Sequence, residues 1–240
     1  MTGLTSSDTK HWAPVPAVVD HVASMIPEGS RVLEIGPGQV PFRRATHFVD
    51  YVQRGDLPIT ICDVANYPLP FLDKDFDFIY CRHVLEDMFN PFALVKEMAR
   101  VGKAGYIETP SPVAELCRGI DGGCPPYRGY HHHRFIVWVQ DGELRFVSKY
   151  PMVEYLRIDE DQTAALLREG STYWNTHYLW SNVINAKHIQ NDIDFDMPQH
   201  YQHVLSSAWH KSIASNLAFH AQMKDAPKFN SLRERAMSNA

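Results

Sequence analysis

The sequence, 240 residues long, is short of several things, and each shortage removes a class of protein. Its four cysteines, Cys62, Cys81, Cys117 and Cys124, are scattered and form no CxxC pair. That argues against a disulfide framework or a thiolate zinc site and suits a reducing, cytoplasmic setting. No apolar run approaches the length that crosses a bilayer, and the polar opening MTGLTSSDTK has no signal-peptide character, so no membrane partner is expected. Positive charge is in deficit: a formal charge of −5 offers no basic footprint for nucleic acid. Internal repeats and low-complexity tracts are absent too. What remains, with 45% hydrophobic residues, is material for one large globular domain with or without an appendage.

The apolar residues fall into readable patterns. WAPVPAVVDHVASMIP has Val15, Val18, Val19, Val22 and Ile26 at helical spacing and closes at Pro27. Five short apolar runs follow: RVLEI (31–35), THFVD (46–50), PITICD (58–63), FDFIYC (76–81) and AGYIETP (104–110). Between the last two, NPFALVKEMARVG predicts a helix with Asn90 as N-cap, Pro91 at the first position and Gly102 as terminator. Strands separated by helical or loop segments imply a largely parallel sheet. After residue 110 a Gly/Pro-rich excursion leads into RFIVWV-QDGE-LRFVSK, a hairpin around Asp141-Gly142. EDQTAALLREG predicts a helix stopped by Gly170, and THYLW with VINAKHI predicts a second hairpin around Ser181-Asn182. From Met197 a helical pattern (Val204, Leu205, Ala208, Trp209, Ile213, Leu217) runs into a polar tail of roughly fifteen residues.

The chemistry concentrates in VLEIGPGQVPF, residues 32–42. Glycines at 36 and 38 allow a sharp turn and a close backbone approach to a ligand. A pyrophosphate site would need a third glycine and a helix N-terminus, yet Pro41 stands in the way and the next strand begins at His47. A nicotinamide dehydrogenase is therefore disfavoured. Three acids end consecutive strands instead: Glu34, Asp50 and Asp63. Carboxylates suit hydroxyls and amines: a ribose diol at Asp50, an adenine amine at Asp63, an ammonium at Glu34. A cationic adenosine without phosphates, S-adenosylmethionine, matches that set.

From about residue 30 to 112 the sequence resembles the class I S-adenosylmethionine-dependent methyltransferases. The resemblance rests on VLEIGPG, FVDY, the run from Asp63 through Pro70-Phe71 to Phe76-Asp77, RHVLED, and NPFALVKEMARVGKAGYIETPSP. The GPGxxPF loop, YIETPSP and HHRFIVW are similar to a bacterial subgroup with a shortened first helix. The resemblance implies Glu34, Gly36, Pro37 and Gly38 around the methionine moiety and Asp50 at the ribose. It implies Asp63 and Val64 beside the adenine, with Arg82 and His83 on the methyl-transfer face. Two departures stand out: Asp87 replaces the last histidine of HVLEH, and Gln39-Val40-Pro41 replaces the third glycine. The implied fold is α/β, a Rossmann-like seven-stranded mostly parallel sheet with helices on both faces and a β-hairpin insertion. Its last two strands would come from the 176–190 hairpin. Residues 1–195 would form the methyltransferase domain, with 113–150 inserted over the active site and the N-terminal helix as a second cover. Residues 196–240 would be a C-terminal helical extension.

The reaction implied is methyl transfer to a small-molecule acceptor, on oxygen or nitrogen, sugar- or glycan-related or a secondary metabolite. Homodimerisation stays open, as do non-methylating chemistry and a scaffold role on the same fold. His83 is the first candidate for the base, with Glu108 and Asp87 behind it. Glu108 could equally bond Arg128 or Arg134. Tyr127, Tyr130, His131 and His133 are the candidates for the acceptor pocket, whereas Trp138 and Trp180 read as core. No metal site is expected in His131-His132-His133: along a strand, adjacent side chains point to opposite faces, so at most His131 and His133 could share an ion.

Overall fold

The computed structural model describes residues 13–121, 126–167, 171–190 and 196–225. In chain order the elements are α1 (Pro16–Ser24), β1 (Val32–Ile35), β2 (His47–Asp50), β3 (Ile59–Ile61), β4 (Phe76–Arg82), α2 (Pro91–Val101) and β5 (Gly102–Pro110). There follow α3 (Pro112–Leu116), β6 (Phe135–Gln140), β7 (Glu143–Ser148), α4 (Glu160–Leu166), β8 (Asn175–Ser181), β9 (Ala186–His188) and α5 (Met197–Asp225). The main sheet runs β3-β2-β1-β4-β5-β8, parallel except for β8, which pairs antiparallel with β5. A second sheet runs β6-β7-β9.

The central strands are apolar on both faces because helices cover both. Leu33 and Ile35 of β1, with Ile79 and Cys81 of β4, join Leu94, Val95, Met98 and Val101 of α2 in one cluster. Their alternates, Val32, Phe78 and Tyr80, meet Val18 and Val22 of α1 on the other face. The β6–β7 hairpin is likewise buried on both sides. Val137 and Phe146 face the α2 side, while Ile136, Trp138 and Val147 meet Tyr201, Leu205 and Trp209 of α5. The five expected parallel strands, the 134–149 hairpin and the core positions of Trp138 and Trp180 are all present. Positive φ at Asp141 and Gly142 is what its two-residue turn requires.

Several expectations are corrected. The described main sheet has six strands, not seven. The 176–190 segment forms no regular hairpin: β8 goes to β5, while β9 lies parallel to β7 in the second sheet. The physical cause is competition for pairing partners, since β7 offers the Leu144–Phe146 edge to the returning chain. Asn90 occupies the N-cap position of α2 without a side-chain cap, and Gly102 does not end the helix through a left-handed turn. It is extended and begins β5 directly, pressed against the Ile79 side chain. The N-terminal helix covers a face of the sheet instead of the site. Gly170 and the expected polar tail lie outside the described residues, as does Cys124; Cys62 and Cys81 are free thiols. No helix among the described residues is long and apolar enough to cross a membrane.

A tight joint against backbone is at Gly105, where a Cβ would lie 2.5 Å from the Ile79 carbonyl oxygen and 2.7 Å from the Trp180 ring. A backbone oxygen between paired strands has nowhere to go. Gly105→Ala is expected to cost about 2–3 kcal/mol in chemical denaturation, as overpacking does; an unchanged midpoint would mean that β5 and β8 can separate freely.

Candidate functional site

Ligands of open α/β sheets sit beyond the carboxyl ends of the strands. There a cavity of about 410 Å³ is lined by Gly36, Gly38, Asp50, Asp63, Val64, His83, Asp87 and Arg134, among others. A smaller one of about 190 Å³ shares Gly36, Gly38 and His83 with it and adds Glu34, Pro37 and Arg82. A third depression, about 400 Å³, lies at the opposite end of β4 and β5 beside Asp77 and Lys103. It has none of the strand-end acids. All eight residues expected at the cofactor thus line the two adjoining cavities.

No helix forms between β1 and β2. Gly36 and Gly38 both have positive φ, 67° and 56°, and a Cβ on Gly36 would meet Val84 Cγ2 at 2.7 Å. Glycine is therefore required at 36 by backbone and neighbour alike. The proline that displaces the helix leads into Phe42, whose amide donates to Glu34 Oε2 at 2.8 Å and whose ring stacks on Tyr80 at 4.1 Å. The loop is thereby folded back onto the acid that precedes it. Burial pushes the Glu34 carboxyl up to about 7, against the pull of the Phe42 amide and the Arg82 charge.

The other two acids are held differently. Asp50 is buried and its Oδ2 accepts from Arg54 Nε at 2.7 Å, while Oδ1 has only a long 3.4 Å contact with the Val52 amide. Asp63 bonds its own turn, through the Ala65 amide at 3.0 Å and the Asn66 side chain at 2.7 Å. Exposed Val40, Tyr51 and Phe89 stand around the two cavities, and Arg134 lies over the Phe89 ring at 3.4 Å.

His83 follows β4 in a left-handed conformation, φ 53°, uncommon for a residue with a side chain. Its amide donates to the Glu108 carbonyl oxygen at 2.8 Å. Its Nδ1 lies 3.3 Å from Glu86 Oε1 and its Nε2 3.5 Å from Glu108 Oε1. Burial alone would lower its pKa, but the two carboxylates outweigh that and raise it. Glu86 is 1% exposed, and among the described residues neither of its oxygens finds a hydrogen-bond donor. It was not among the expected residues, although an acid three positions after a candidate base in RHVLED was a signal.

Glu108 does not line either cavity, and its partners are neither Arg128 nor Arg134. It accepts from Arg82 Nε at 2.6 Å, Asn175 Nδ2 at 3.0 Å and the Tyr106 hydroxyl. Burial would raise its pKa, yet His177, His83 and Arg82 hold it well below the usual carboxylate range. A carboxylate so occupied is a poor base. Asp87 is on the cavity wall, and burial and the Glu86 charge push its pKa up to about 6.

The four expected acceptor residues do not reach the cavity wall. Tyr127 is half exposed, Tyr130 is buried in the cluster of α3 and α5, and His131 turns to Asp121 at 2.8 Å. His133 is buried, its Nδ1 2.6 Å from Glu115 Oε1. The histidine run lies in a turn before β6, not in a strand, so alternation does not govern it. His132 and His133 are the pair that come together, ring centroids 4.4 Å apart. Among the described residues of 113–150, Arg134 alone lines the main cavity, donating Nε to the Asp87 carbonyl at 3.0 Å.

Removing Glu108 would take from Arg82, Asn175 and Tyr106 the buried carboxylate they share. Glu108→Ala is expected to cost about 3 kcal/mol or more at pH 7. Because its folded pKa lies below the unfolded value of about 4.3, the stabilisation is complete above that pH and is lost as pH falls toward the folded pKa. Denaturant titrations of both proteins at pH 7 and in acid read this directly. Equal stability at pH 7 would contradict it.

Residues 31–107 match the protein family described as "Methyltransferase domain". No curated protein matches the chain. Among solved structures, an S-adenosylmethionine-dependent methyltransferase of Archaeoglobus fulgidus is 23% identical, over 44% of this chain and 57% of its own, with a TM-score of 0.36. One from Thermotoga maritima is 21% identical over 43% and 55%, with a TM-score of 0.36. One from Mesorhizobium loti is 17% identical over 68% and 74%, with a TM-score of 0.35. The chain spans about half the length of several of the solved structures it matches. The segment that matches the methyltransferase-domain family, residues 31–107, carries every residue of the expected cofactor site.

Proposed function

We propose that this chain transfers the methyl group of S-adenosylmethionine to an oxygen or nitrogen of a small acceptor, sugar- or glycan-related or a secondary metabolite. The observation that carries the reading is the set of three acids, Glu34, Asp50 and Asp63, ending adjacent strands around the left-handed glycine loop. When bound, the cofactor supplies an activated methyl group on a sulfonium, so the protein's work is alignment, exclusion of water and removal of a proton.

Glu34 meets the ammonium of the methionine moiety, and the backbone around Gly36, Pro37 and Gly38 follows its contour. Asp50 takes the ribose diol with Oδ1, the oxygen that Arg54 leaves available. Asp63 and Val64 flank the adenine, with Tyr51 and Phe89 apolar at the mouth. Arg82 and His83 border the methyl-transfer face. His83 in its neutral form accepts the acceptor's proton, and Glu86 and Glu108 stabilise the imidazolium that results. Glu108 holds that base and is not one itself. Asp87 stands on the acceptor side of His83.

Calorimetric titration of S-adenosylmethionine and S-adenosylhomocysteine tests the reading. Roughly micromolar binding, about −8 kcal/mol, is expected in the wild type, weakened at least about tenfold by Asp50→Ala. Glu34 adds a pH signature. Its carboxyl, near 7 in the free protein, must ionise to meet an ammonium, so S-adenosylhomocysteine should bind about tenfold tighter at pH 8 than at pH 6. The gain should vanish in Glu34→Gln. No heat with a folded protein would sink the cofactor assignment, and a pH gain that survives Glu34→Gln would sink the role of Glu34.

A further inference from the structure

We infer that Asp87, His132 and His133 form a binding site for one divalent transition-metal ion at the rim of the main cavity. Each can present one ligand atom, and the three atoms lie within 4.8 Å of one another. Asp87 Oδ1 is 3.8 Å from His133 Nε2 and 3.9 Å from His132 Nε2. Those separations are too long for hydrogen bonds, so the three groups gather without satisfying each other. They exceed the spacing of ligands around a tetrahedral ion, whose bonds are about 2.0–2.2 Å, by only a few tenths of an ångström.

The freedom to close that gap is unevenly shared. His133 has a side chain 6% exposed, whereas Asp87 and His132 are 45% and 60% exposed. One anchored ligand and two that can swing inward suit capture of an ion arriving from solvent.

The second observation lies behind the anchor. His133 Nδ1 is 2.6 Å from Oε1 of buried Glu115, whose Oε2 accepts from Lys149 Nζ. Lys149 also donates to the Tyr130 carbonyl. With Nδ1 committed as the donor to a carboxylate, Nε2 is the ring nitrogen left to ligate, and it is the one that faces Asp87. A carboxylate behind a ligating histidine fixes its ring and raises its basicity. His131 is turned away to Asp121 and takes no part.

Two imidazoles and one carboxylate favour Zn²⁺, Co²⁺, Ni²⁺ or Fe²⁺ over Mg²⁺ or Ca²⁺. Three protein ligands leave a coordination position open. The site itself stands independently of methyl transfer, but its use rests on that reading. Asp87 is also on the cavity wall, so an acceptor hydroxyl bound at the open position would enter the cavity with its proton made more acidic.

The test uses the full chain, stripped with a chelator and titrated with Co²⁺ without cofactor, then with Zn²⁺ in competition. Visible d–d absorption should saturate at one equivalent, with roughly micromolar or tighter affinity, and Zn²⁺ should abolish it. His132→Ala and Asp87→Asn alter exposed side chains and should fold normally; each should weaken binding about tenfold or more. His131→Ala should leave it unchanged. Absence of a cobalt spectrum, or affinity indifferent to His132 and Asp87, would overturn the site. So would a loss on replacing His131. S-adenosylhomocysteine binding, measured separately, shows whether the cofactor reading stands or falls on its own.

Discussion

One buried carboxylate governs the geometry around the cavity. Glu108 receives Arg82 from β4, Tyr106 from its own strand and Asn175 from β8, so its oxygens join three strands at their ligand edge. Its backbone carbonyl takes the His83 amide and thereby fixes the left-handed turn after β4. A charge this deep persists only while every partner is in position. The same residue therefore holds the sheet edge together and aims His83 at the cavity.

The acids around the glycine loop are graded in availability. Asp63 is engaged by its own turn, Asp50 shares one oxygen with Arg54, and Glu34 holds only the Phe42 amide. The GPGQVPF stretch achieves this without a phosphate-binding helix. Its second proline leads the chain back over Glu34, and Phe42 seals the turn against Tyr80. Such a site is deficient in hydrogen-bond donors from a helix N-terminus and rich in carboxylates, which is complementary to a cationic ligand and unsuited to a diphosphate.

The first half of the fold was legible because its signals are local. Short apolar runs ending on acids specify parallel strands, and Asp141-Gly142 specifies its hairpin. The second half turns on long-range choices. Nothing within residues 183–189 says that β9 will pair with β7, a partner about forty residues earlier in the sequence. The site divides the same way. Glu34, Asp50 and Asp63 could be read from strand ends, and all three line the adjoining cavities. Glu108 carries the same strand-end mark, yet Asn175 and His177 arrive from the far end of the chain to occupy and surround it. The histidine run was read with strand geometry, and its turn reverses which neighbours meet.

Amide hydrogen exchange with and without saturating S-adenosylhomocysteine tests the central claim, that the strand-end acids and the glycine loop between them hold the cofactor. Protection should appear at residues 36–42, 50–54 and 63–66, the loop and the two acidic turns beside it. Protection confined to the opposite depression, at residues 27–30 and 181–182, or none at any of these segments, would contradict the account.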